Sequence, residues 1–144
     1  MKIIGFRLTK ILGEKLKEPE ERSINLNSNF NLGDVKKEEN QLDSNEVVFS
    51  IEFTNSYTFD VVAKIEFKGN VFFTISKDDE NTLKDIEKTK KIKDVELRKK
   101  VIDYIFRKIH IDSLLLEEKL SLPFHIQPPQ VNINPNPNQI EEPD

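Results

Sequence analysis

Four stretches of this chain alternate apolar with polar residues, a period of two that puts every second side chain on one face of an extended strand. Between Ile3 and Leu12, the residues Ile4, Phe6 and Leu8 alternate with Gly5, Arg7 and Thr9. The pattern returns in SINLNSNFNL, where Ile24, Leu26, Phe30 and Leu32 share a face, asparagines fill the other, and Ser28 interrupts the apolar side. Val47, Phe49, Ile51 and Phe53 carry it again, and Phe59, Val61, Ala63, Ile65 and Phe67 carry it a fourth time. A turn over Asn55 to Tyr57 then joins the last two runs as a hairpin. Charged loops, EKLKEPEER and GDVKKEENQLDSNE, separate the earlier runs. The segments predict a four-stranded antiparallel sheet.

After Lys77 the period changes. Asp78, Asp79 and Glu80 place carboxylates where a helix N-terminus favours them, and Leu83 and Ile86 follow at helical spacing. A second helix starts at the N-cap Asp94. Val101, Ile102, Ile105, Phe106 and Ile109 recur at threes and fours, and Leu114, Leu115, Leu116 and Leu120 extend its apolar side. The fold class is therefore α+β: a four-stranded antiparallel sheet packed against a long C-terminal helix and a short one. One domain over residues 1–126 is expected, followed by a flexible tail rich in proline and asparagine over 127–144.

Composition excludes much chemistry. With 144 residues and 36% hydrophobic content the chain supports one core, and its 33% charged residues nearly cancel to a net charge of -4. That balance argues against a dedicated nucleic-acid binder. The basic run KTKKIKDVELRKK, Lys88 to Lys100, holds no aromatic residue to stack on a base and reads as a solvated connection between helices. The absence of cysteine removes disulfides, thiol catalysis and cysteine metal sites. His110 and His125, the two histidines, do not form an HExxH pair. The cluster KDDEN, Lys77 to Asn81, lacks the spacing of a calcium loop and reads as a helix cap. The four glycines lie too far apart to cradle a phosphate. No enzyme, cofactor or metal site is expected. The N-terminal apolar run, broken by Gly5 and Arg7, is no signal peptide, and no run is long enough to cross a bilayer, so a cytoplasmic protein is expected.

The last strand, VVAKIEFKGNVFFTI, is long and carries Gly69 where a strand should be regular, which predicts a bend or bulge there. Val48, Val62 and Phe72 fall on what should be the outward face, so the sheet calls for a second cover.

This order of elements resembles the SecB family, and more closely the SecB-like proteins of archaea and of toxin–antitoxin–chaperone systems. The likeness rests on four antiparallel strands, the segment KIEFKGNVFFTI, a long helix and the exit segment LSLPFHIQPPQVNI. The resemblance implies a homodimer or homotetramer whose hydrophobic grooves bind unfolded or nascent polypeptides, without nucleotide or metal. On this chain it implies a groove at Ile24, Leu26, Phe30, Leu32, Leu115, Leu120 and Phe124, with Gly69 at a strand bend. An ATP-independent holdase is the function so implied, with a link to protein export. The chain shows no motor-docking motif, and its tail QIEEPD is acidic but short. A structural or adaptor protein with one dedicated partner is the alternative, and RNA contact through Lys88 to Lys100 is a third reading.

Overall fold

A computed structural model describes residues 1–18, 24–39 and 45–123. Phe124, His125 and the segment 127–144 lie outside the described residues. Strands β1 (Lys2–Lys15), β2 (Leu26–Lys37), β3 (Glu46–Phe59) and β4 (Ala63–Ser76) precede helices α1 (Glu80–Thr89) and α2 (Val95–Lys119). The strands form one antiparallel sheet in the order β1-β4-β3-β2, so β2, β3 and β4 make a meander and β1 closes the far side. This is the α+β architecture expected from the sequence. β1 and β2 run on into the two charged stretches read as loops.

The alternation dictates which face is buried. Phe53, Phe59, Ile65, Phe67, Val71 and Phe73 are fully buried in the central strands, and α2 packs its Val101, Ile105 and Ile109 into the same core. Burying such a side chain stabilises the fold by roughly 1.5–3 kcal/mol, so β3, β4 and α2 carry most of the apolar contribution. The opposite face is polar along its centre, where ion pairs join Lys10 and Lys64 to Glu66 (3.2 and 3.0 Å) and Lys68 to Glu52 (3.1 Å).

Both helices begin as the sequence predicts. The Asp79 side chain accepts from the Thr82 backbone N–H, and Asp94 accepts from those of Glu96 (2.9 Å) and Leu97 (3.4 Å). α2 is continuous over 25 residues, about 37 Å at 1.5 Å per residue.

Three expectations need correction. First, the hairpin turn is not at Asn55 to Tyr57. β3 continues to Phe59, Asn55 and Tyr57 point into the core, and the chain reverses at Asp60, whose φ of 46° a short polar side chain tolerates. Second, Val62 is no outward strand residue; it belongs to that turn and joins the core. Val48 and Phe72 do lie away from α2, where Arg7 covers the Phe72 ring at 5.6 Å.

Third, β4 keeps unbroken register with β3 through Gly69, which pairs with Phe53. The irregularity lies on β1, whose pairing slips between Ile3 and Gly5 and again between Leu8 and Lys10, beside Gly69. No glycine has positive φ, so Gly69 is not there for left-handed backbone freedom. A Cβ on Gly69 would overlap the Arg7 carbonyl oxygen, while Phe53 Cε1 stands 3.0 Å and Leu8 Cα 3.1 Å away. Gly69 is what lets the bulged strand come close.

Candidate functional site

The strand order leaves two edges, and their sequences differ. β1 carries Lys2, Arg7, Lys10, Glu14 and Lys15 and two register slips. Charges and bulges are how natural sheets discourage a further strand from adding. From Ile24 to Leu32 the β2 edge has neither charge nor proline, and its register slip comes only afterwards, between Leu32 and Val35. Among the described residues β2 therefore offers an open row of backbone donors and acceptors up to Leu32, before the Val35 N–H donates to the Lys90 carbonyl at 2.8 Å.

The inner side of this edge is apolar and incompletely covered. Leu26, opposite Phe59, remains 36% exposed, while Ile24, Phe30 and Leu32 are half-buried against the core. Phe30 meets Phe106 of α2 with ring centroids 5.0 Å apart and planes tilted by 37°. Phe106 is itself 36% exposed. Together these residues form an apolar strip along β2, the candidate groove, which meets α2 at Phe106.

The groove gathers only some of the residues expected from the sequence. Ile24, Leu26, Phe30 and Leu32 come together. Leu115, 47% exposed, follows Phe106 by nine positions, two and a half helical turns, which places it on the opposite side of α2. Tyr104 meets Phe6 of β1 at 6.1 Å, and Leu116 and Leu120 lie against Gly13. Leu120 therefore belongs to the β1 flank, Leu115, midway between the buried Ser113 and Glu117, points away from the sheet, and Phe124 lies outside the described residues. Phe106 was missing from the expected set although its place in the apolar repeat was visible; an apolar residue at helical spacing reads as core.

Beneath the groove the core turns polar. Along the buried side of α2 the aliphatic Val101, Ile105 and Ile109 give way to Ser113 and Glu117, both fully buried. On the sheet Asn55 is 0% exposed, between Phe30 on β2 and Phe67 on β4. Among the described residues neither the oxygen nor the nitrogen of its carboxamide has a hydrogen-bond partner. The buried Ser113 hydroxyl donates within its own helix, to the Ile109 carbonyl at 2.9 Å. Burial pushes the Tyr57 phenol up from its ordinary value; the nearby Asn55 amide pulls it down without reaching hydrogen-bond geometry, and the Glu117 carboxylate adds to the rise.

Charge chemistry sits elsewhere. Lys64, with Lys10 adding, holds the Glu66 carboxyl below the usual range against a smaller effect of burial, on the sheet face away from α2. Among the described residues no group of histidines and carboxylates could hold a metal ion, and no helix is long and apolar enough to cross a membrane. The basic stretch spans the end of α1, the link and the first turns of α2, with its lysines largely exposed.

No family model and no curated protein matches the chain. A similar solved structure is that of the Mycobacterium tuberculosis Rv1957 SecB-like chaperone in complex with a ChAD peptide from the Rv1956 HigA1 antitoxin. It aligns with a TM-score of 0.47 and 16% identity, over 94% of this chain and 91% of that one. A likeness of that size concerns general architecture and says nothing of which residues bind what.

Proposed function

We propose that this protein binds unfolded or nascent polypeptides along β2 and acts as an ATP-independent holdase. One observation carries the reading: the edge from Ile24 to Leu32 lacks the charges that guard β1, and it adjoins the exposed apolar groups of Leu26 and Phe106 and the half-buried Phe30. An extended segment with apolar side chains suits both features. Its backbone pairs with the β2 edge and its side chains fill the groove, giving affinity with little sequence preference. In this reading the protein works in the cytoplasm as a homodimer or homotetramer and performs no catalysis. The mycobacterial chaperone is solved with an antitoxin peptide; for the present chain the reading stands on its own edge and groove.

Ser28 offers a test that leaves the core intact. It lies on the groove side of β2, opposite Tyr57, and is exposed. Ser28→Lys adds an inward-pointing guard of the kind native edges carry. The wild type should suppress aggregation of two unrelated denatured proteins at stoichiometric amounts without nucleotide, and S28K should suppress both less, with unchanged circular dichroism and oligomeric mass. Failure of the wild type on both proteins would move the assignment to an adaptor with one dedicated partner, and equal activity of S28K would remove the β2 edge from the mechanism.

A further inference from the structure

Asn55 is the least explained residue of the core. A buried amide with neither donor nor acceptor satisfied opposes folding, and native chains leave few such groups. A leucine would fill the space between Phe30 and Phe67 without that cost. The surrounding seam shares the peculiarity. The first buried positions of α2 are aliphatic, whereas Ser113 and Glu117 forgo that stabilisation where the helix covers the polar part of β3. The least apolar part of the buried interface between α2 and the sheet is thus the part around Tyr57, on which both Asn55 and Glu117 act, and on the β2 side Asn55 has Phe30 as its strand neighbour, with Phe106 against Phe30.

We propose that this seam opens to admit a polypeptide segment, and that the Asn55 carboxamide then hydrogen-bonds one peptide unit of that segment. The inference rests on the polypeptide-binding reading and deepens it. A primary amide offers donors and an acceptor, the complement of a peptide N–H and C=O. Being uncharged, it reads the backbone common to all clients, while the apolar groove takes their side chains. A segment entering between β2 and α2 separates Phe30 from Phe106 and gives Asn55 the partner it lacks in the free protein. The occupant is an extended, uncharged, apolar stretch, because the strip from Ile24 to Leu32 holds no charge to pair with one.

The test uses the full chain and a labelled uncharged peptide of Leu, Ala, Ser and Gln. Asn55→Leu should raise the denaturation midpoint and weaken peptide binding roughly 3- to 10-fold, the loss of about one net hydrogen bond. Asn55→Ala, which adds no bulk, should weaken binding similarly and serves if the leucine variant fails to fold. N-methylation of the peptide at successive positions should reveal one position that costs affinity with the wild type and nothing with either variant. Hydrogen exchange should be faster at 113–119 than at 101–109 in the free protein and should slow on binding. A wild type that binds no such peptide overturns the polypeptide reading and this inference with it. A wild type that binds while both variants bind equally well overturns the inference alone and leaves Asn55 as a defect of the core.

Discussion

Replacing Gly69 with alanine tests the packing of β1 on β4 most directly. The added Cβ overlaps the Arg7 carbonyl and comes within 3.0 Å of Phe53 Cε1 and 3.1 Å of Leu8 Cα. Two of these neighbours are backbone, and Phe53 is fully buried, so no side chain can simply rotate away. Relief requires β1 to retreat by on the order of 1 Å, beyond the 2.7–3.2 Å range of an N–H···O bond. Losing about two ladder bonds costs ~1–3 kcal/mol, and crowding at Phe53 adds ~1–3 kcal/mol. The better strand propensity of alanine returns roughly 0.5–1 kcal/mol, leaving a net loss of about 1–5.5 kcal/mol. At this chain length that lowers Tm by roughly 3–20 °C. Gly5→Ala is the control on the same strand pair: the atoms nearest its Cβ belong to the Phe72 side chain, from 3.4 Å, so it should leave stability unchanged or raise it by up to ~1 kcal/mol. Urea unfolding followed by circular dichroism measures both. Equal midpoints for the two variants would refute the reasoning, since β1 would then yield without cost.

Two further outcomes follow from single groups. Asp94→Ala removes the oxygen that accepts from Glu96 and Leu97 at the start of α2 and should cost about 1 kcal/mol in the same unfolding assay, without affecting peptide binding. Tyr57→Phe should alter the alkaline limb of stability. The folded protein, mainly through burial, holds the phenol proton above the ordinary value of 10.0, so between that value and the folded one the native state binds more protons than the unfolded chain. Stability therefore falls as pH rises past about 10, and Y57F should flatten that fall in denaturation series from pH 8 to 11.5.

The alternation in four segments and the change of period after Lys77 made the element types legible, because burial on one face imposes period two on strands and a repeat near 3.6 on helices. Asp79 and Asp94 were readable as caps for the equally local reason that a carboxylate satisfies N–H groups two or three residues on. The hairpin turn was misread because Asn55 and Ser56 look like turn residues, although the alternation through Phe53, Asn55, Tyr57 and Phe59 already continued past them. What set Asn55 in the core was the pairing of β3 with both neighbours, which no local signal states. Gly69 was visible as an anomaly, but its cause sits on β1, some sixty residues earlier.

The site was less legible because an edge is a property of strand order. The sequence shows an uncharged strand from Ile24 to Leu32 and a charged one from Lys2 to Lys15, yet only the order β1-β4-β3-β2 makes both of them edges and turns the contrast into a preference for where a further strand adds. Helical geometry alone would have separated Leu115 from Phe106, whereas choosing Phe106 required knowing that its side of α2 faces β2. The groove can stay open because stability resides elsewhere: the fully buried aromatic and aliphatic side chains lie on β3, β4 and the first turns of α2, whereas Leu26 and Phe30 are only partly covered. Opening beside β2 therefore sacrifices little of the core, and the polar stretch from Asn55 to Glu117 lowers that cost further. Lysine on this edge would guard it against a further strand and leucine in this seam would stabilise the core, so the lack of both is what the proposed binding of a polypeptide requires.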